Sequence, residues 1–170
     1  MITISLIDNV INEFFEQTKN KKLLQIIRDI FPHINQSKID QEKSNFEIKD
    51  KSININFYSN NNICCPIYIA SEDDHVTIII GIGEVNYLDN ASILKENDAV
   101  KLKSCIRDLF YLPVIEDLVY KNGDIISSTC LINQSIDGKV MPIKYKHVHK
   151  FSFLPLSKTK VSYNFNCWIE

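Results

Sequence analysis

The feature that most constrains this chain is a change in the period of its apolar residues. From Ser5 to Phe31, Leu6, Ile7, Val10, Ile11, Phe14 and Phe15 recur at three- and four-residue steps, and a second stripe follows in Leu23, Leu24, Ile26, Ile27 and Ile30. That spacing puts the apolar side chains on one face of a helix. The polar run Thr18 to Lys22 separates the stripes, so the segment reads as two short helices or one kinked helix, stopped by Pro32. Beyond residue 45 the period falls to two. Phe46 and Ile48 alternate with charged residues, and Ile53, Ile55 and Phe57 alternate with Asn, with Asp50-Lys51 as the turn of a hairpin. Such a chain must fold mostly as sheet, with helices to cover it.

Two more strands are predicted at Ile67–Ile69 and Val76–Ile80, joined by the polar tract Ser71 to Asp74. The second lacks alternation and reads as a central strand covered on both faces. Helical spacing returns over Ser92–Leu112 through Val100, Leu102, Cys105, Ile106, Leu109 and Phe110, with Pro113 just past its end. Strands follow at Val114–Tyr120 and Asp124–Ile132. The Asn122-Gly123 between them favours the positive φ values of a type I′ turn. Asp137-Gly138 repeats the signal before a strand from Lys139 to Phe153, and Lys160–Ile169 alternates as a last strand. The expected fold is one α+β domain over residues 1–170, a mainly antiparallel sheet with N-terminal helices and one mid-chain helix packed on one face.

Several function classes find nothing here to build on. With four glycines and five prolines in 170 residues there is no glycine-rich phosphate cradle and no long linker. Gly81-Ile82-Gly83-Glu84 follows an apolar strand but lacks a third glycine and a Gly-Lys-Ser/Thr, so it reads as a strand end that bends. Met1–Val10 has no basic leader character, and the longest apolar run, Val76–Ile80, is far too short to span a bilayer, so a cytoplasmic location is expected. Cys64, Cys65, Cys105, Cys130 and Cys167 are odd in number and irregular in spacing, as expected of reduced, mostly buried thiols. Adjacent Cys64-Cys65 is not a redox pair of the kind that places two residues between its thiols. His147-Val148-His149 sets two imidazoles on one face of a strand, but no further ligand is supplied nearby for zinc. No catalytic residue, cofactor or metal site is therefore assigned, and the chain is expected not to be an enzyme.

Charge is unevenly distributed. Residues 139–170 carry six lysines and one acid, net +5, while residues 1–138 stand at net −7. The C-terminal lysines, Lys139, Lys144, Lys146, Lys150, Lys158 and Lys160, are interleaved with Tyr145, Phe151, Phe153 and Tyr163. Lysines neutralise phosphates and aromatics stack on bases, so a nucleic-acid-binding module is the alternative reading. The overall acidic balance and the presence of only Arg28 and Arg107 weigh against it. The acidic positions Glu72, Asp73, Asp74, Glu84 and Asp89, and later Glu116-Asp117, are the other candidates. Consecutive carboxylates in a loop stay in water. Glu72, Asp73, Asp74, Glu84 and Asp89 form the expected contact set for a basic protein partner, adding on-rate and specificity. For an acidic partner the C-terminal lysines would serve. Trp168 is a candidate interface anchor, with a core role preferred.

The run His75 to Glu84, the segment Leu102 to Phe110 and the Asn122-Gly123 hairpin follow one another in a strand–helix–hairpin order. In this layout the chain resembles small bacterial immunity proteins, the partners of polymorphic and contact-dependent growth-inhibition toxins. The resemblance implies a cytoplasmic toxin inhibitor that works by protein–protein interaction. It would bind one cognate toxin domain, often a nuclease, and block its active site or substrate access. No functional residue is carried over from it.

Overall fold

The alternating segments pair into two antiparallel sheets in the computed structural model, which describes residues 21–49, 52–92, 96–136, 139–149 and 157–169. Helix α1 (Lys21–Ile30) is the second apolar stripe, and it gives way at Pro32 to a 3-10 turn over Phe31–His33. The first stripe lies outside the described residues. A five-stranded meander follows, with β1 (Asn45–Ile48), β2 (Ser52–Phe57), β3 (Ile67–Glu72), β4 (His75–Ile80) and β5 (Val85–Ser92) side by side in chain order. Helix α2 (Glu96–Tyr111) then leads to β6 (Val114–Lys121), β7 (Asp124–Ile136), β8 (Lys139–Val148) and β9 (Thr159–Phe165). These form a second sheet in the order β8-β7-β6-β9, the last strand returning to pair with β6.

The expectation of a single sheet is thus corrected to two. Helix α2 interrupts the meander, and β6 takes β7 and β9 as neighbours rather than β5. Strand β5 was not anticipated, and four strands before the mid-chain helix become five. The expected cover on both faces of Val76–Ile80 is also corrected, because Val76, Ile78 and Ile80 are buried whereas Thr77 and Ile79 are only half-buried. At the β6–β7 turn Asn122 and Gly123 take φ values of 53° and 85°, both positive as a type I′ turn requires.

The core lies on the inner face of the five-stranded sheet. Ile53, Ile55 and Phe57 of β2, Ile67 and Ile69 of β3, and Val76, Ile78 and Ile80 of β4 alternate into it, joined by Leu23, Leu24 and Ile27 of α1 and Leu102, Ile106 and Leu109 of α2. Phe57 is an aromatic hub, with ring centroids 5.1 Å from Phe31, 5.2 Å from Phe110 and 5.9 Å from Trp168. Trp168 is fully buried, so its role is core packing. Its indole Nε1 donates to the Cys65 carbonyl at 3.0 Å and its backbone N–H to the Phe110 carbonyl at 2.9 Å. The chain after β9 therefore pins the β2–β3 connection to the end of α2.

Candidate functional site

Successive side chains of a strand point to opposite faces, so a meander with one buried face has a second face of its own. On the five-stranded sheet that outer face carries Ser52, Asn54 and Asn56 of β2, Tyr68 and Ala70 of β3, and Thr77 and Ile79 of β4, all half-buried. Two recesses open on it. One of about 590 Å³ is lined by residues including Asn54, Tyr68, Glu72, Asp73, His75 and Thr77. The other, of about 280 Å³, is lined by Asn56, Tyr58, Tyr68, Ile79 and Glu84 among others. Tyr68 borders both, and its hydroxyl donates to Asn54 Oδ1 at 3.0 Å. The recesses form a trough along β3 and β4, and the five residue steps between Glu72 and Ile67 make it roughly 17 Å long.

Carboxylates stand at both ends of the trough. Glu72 and Asp73, at the tight β3–β4 turn, are exposed and line the larger recess; Glu84, at the β4–β5 turn, is exposed and lines the smaller. Asp73 and Glu84 hold φ values of 51° and 50°, a left-handed conformation that is uncommon for a Glu. The other two acidic candidates lie apart. Asp74 turns aside to accept from Ser92 Oγ at 2.9 Å and lies 3.0 Å from His75 Nδ1, and Asp89 is exposed on β5 without lining either recess.

The turn that presents Glu84 is held from below by Glu116, an acidic candidate in the sequence whose buried role was not expected. Glu116 of β6 is fully buried, and its carboxylate accepts from three donors. The Ile82 N–H reaches Oε2 at 2.8 Å, the Gly83 N–H reaches Oε1 at 2.8 Å, and Ser128 Oγ of β7 reaches Oε1 at 2.7 Å. An unpaired buried carboxylate is very costly, whereas one with three short charge-assisted hydrogen bonds is stable. The glycines are what allow it so close. Gly81 has φ +82°, and a Cβ there would lie 2.5 Å from Glu116 Oε1; a Cβ on Gly83 would lie 2.3 Å from Ser128 Cβ. His149 Nε2 completes the clamp, 2.8 Å from the Gly83 carbonyl oxygen. Gly81-Ile82-Gly83 is therefore a bend, as expected, and also the joint between the two sheets. The available signal for Glu116 was its parity with Val114 and Leu118, which placed a carboxylate in the inward row of a strand.

The thiols near this joint are held in their neutral form. Burial pushes Cys65 and Cys130 well up, and the Glu116 carboxylate raises both further. A raised thiol is a poor nucleophile and a poor metal ligand. His147 and His149 do lie together, with ring centroids 4.4 Å apart. Among the described residues no group of three or more His, Cys, Asp and Glu is placed to hold a metal ion, and no helix is long and apolar enough to cross a membrane.

The C-terminal lysines and aromatics separate. Lys144 pairs with Leu131 and Lys146 with Thr129 on the outer face of the four-stranded sheet, while Tyr145 and Tyr163 pair with the inward residues Cys130 and Glu116. Tyr145 packs against Tyr87 at 4.7 Å and Tyr163 stacks on Phe165 at 6.0 Å. The lysine-plus-aromatic surface on which the nucleic-acid reading rested is not formed by these residues; Lys150, Phe151 and Phe153 lie outside the described residues. Comparison with protein-family models, with curated proteins and with solved structures finds no match to this chain.

Proposed function

We propose that this chain is a non-enzymatic binding protein that holds a basic protein domain against the acid-ended trough of its five-stranded sheet. Its sharpest form is an immunity protein that neutralises a cognate bacterial toxin domain in the cytoplasm. The observation that carries the reading is the placement of Glu72 and Asp73 at one end, and Glu84 at the other, of a trough whose walls set the amides and hydroxyls of Asn54, Asn56, Tyr68 and Thr77 beside apolar Ala70 and Ile79. Carboxylates at separated points steer a positively charged partner and fix its orientation, while the polar walls supply hydrogen bonds once it docks. A nuclease presents basic side chains where it grips phosphates. A rigid acidic surface that occupies those side chains excludes the nucleic acid without any chemistry of its own. The clamp on the β4–β5 turn serves this purpose by fixing Glu84, because a preformed surface spends less binding free energy on ordering.

The test is capture from lysate of the native host at moderate salt, followed by reconstitution with the purified partner. The expected result is one stoichiometric basic partner whose activity falls as the complex forms. The triple variant Glu72→Lys, Asp73→Lys, Glu84→Lys loses both capture and inhibition. Full inhibition by that variant would refute the trough as the site.

A further inference from the structure

The other sheet also has an outer face, with a different chemistry. Its two central strands place Ile115 and Val119 of β6 and Leu131 of β7 outward, and Ile115 is 42% exposed although it lies mid-sheet. A recess of about 330 Å³ opens beside them, lined by Pro113, Ile115, Leu131, Pro142 and Asn164 among others. The cross-strand rows surround this apolar patch with cations. Lys144 stands beside Leu131, Lys146 beside Thr129, and Lys160 beside Val119. One carboxylate, Asp117, lies in the same set of rows, with its oxygen 2.8 Å from Lys160 Nζ. An apolar centre next to a side-chain-sized recess, inside a polar rim, is the anatomy of a protein interface rather than of a solvated sheet face.

We infer that this face is a second docking surface, independent of the trough, and that its occupant is an acidic protein segment carrying one apolar anchor side chain. Charge fixes the sign of the partner, since Lys144 and Lys146 are exposed and the single acid on the face already pairs with Lys160. A second copy docked by the same face would oppose one net-cationic surface, three lysines to one carboxylate, with another. A nucleic acid would leave the Ile115–Leu131 patch unused, and the described aromatic rings of this sheet that would stack on bases, Tyr145 and Tyr163, face the other way. The recess takes the anchor, and Lys144 and Lys146, in successive rows along β8, take carboxylates to one side of it.

The experiment uses the full chain with labelled Ile and Leu methyl groups and, as probe, an acetylated heptapeptide Asp-Gly-Asp-Leu-Asp-Gly-Asp. The expected result is movement of the Ile115 and Leu131 methyl signals, with a midpoint weakened about five- to tenfold by Lys144→Glu with Lys146→Glu, and weakened again at high salt. Ile115→Asp, an exposed position whose change leaves the remaining spectrum dispersed, removes the response, whereas Glu72→Lys with Asp73→Lys leaves it intact. Methyl signals that stay put at millimolar peptide would overturn the inference. So would an equal response to the Asn-for-Asp peptide, or a response to oligothymidylate or anionic vesicles without one to the peptide.

Discussion

Replacing Glu116 by Gln separates the charge of the inter-sheet clamp from its shape. The amide has nearly the volume of the carboxylate, so packing around this fully buried side chain is conserved. Its hydrogen bonding is not. Oε1 now receives the Gly83 N–H and Ser128 Oγ, and Oε2 receives the Ile82 N–H. In Glu116→Gln one of these oxygens becomes an NH₂ group, so at least the Ile82 N–H faces another donor. An unsatisfied buried donor costs about 1–3 kcal/mol, and the two surviving bonds lose the part of their strength that came from the charge. The net expectation is a loss of about 2–4 kcal/mol. At a urea slope of roughly 2 kcal/mol/M the unfolding midpoint falls by about 1–2 M. Ser128→Ala should cost less alone, and less again in the Glu116→Gln background, because the two residues share one hydrogen bond. Equilibrium urea denaturation followed by circular dichroism measures all four proteins. A Glu116→Gln midpoint within error of the parent would refute the claim that this carboxylate holds the turn.

Other outcomes follow from the same geometry. Gly83→Ala brings a Cβ to 2.3 Å from Ser128 Cβ and should destabilise far more than Gly123→Ala, which meets nothing within 4 Å and bears only the strain of its positive φ, on the scale of 1 kcal/mol; thermal melts rank the two. Cys65 and Cys130 are buried with their thiols pushed up, so in the folded chain they should react with a thiol reagent only at the rate of unfolding, whereas half-buried Cys167 reacts first; equal labelling of the three before unfolding would contradict this. Hydrogen bonds from Lys160 and Ser162 hold the Asp117 carboxyl below its ordinary value. Its stabilising effect is therefore fully present above the unfolded carboxyl value and is lost as pH falls through the lower folded one. The pair is partly exposed, so Asp117→Asn should cost no more than about 0.5 kcal/mol at neutral pH and nothing at strongly acid pH, read from denaturation at both.

What was legible in the sequence is what short-range physics writes there. Period-two runs gave β1, β2 and β9, and Asn122-Gly123 gave the β6–β7 hairpin, because side-chain alternation and turn conformation are local. Strand β5 escaped for an identifiable reason. Its pairing with β4 shifts register between Val76 and Ile79, so adjacent Tyr87 and Leu88 are both buried and the alternation that marks a strand is broken. The division into two sheets depends on β9 choosing β6, a long-range choice that no window of sequence contains. The candidate site divides in the same way. Acidity and a loop position marked Glu72 and Asp73 as exposed and acidity marked Glu84 as a candidate, but their sharing of one trough follows from the β3–β4 pairing. Glu116 was visible as an acidic candidate but not as a buried clamp, since two of its donors, the Ile82 and Gly83 N–H groups, come from another sheet's turn.

On this reading the trough of the five-stranded sheet is where a basic partner is held. The most direct measurement is titration of the captured partner into the parent chain and into the Glu72→Lys, Asp73→Lys, Glu84→Lys variant by calorimetry, at two salt concentrations. The expected result is tight one-to-one binding that weakens with salt, a loss of at least about 100-fold in the variant from three reversed charges, and unchanged binding when Asp89 is reversed. Parent-like affinity in a folded triple variant would contradict it and move the partner to another surface.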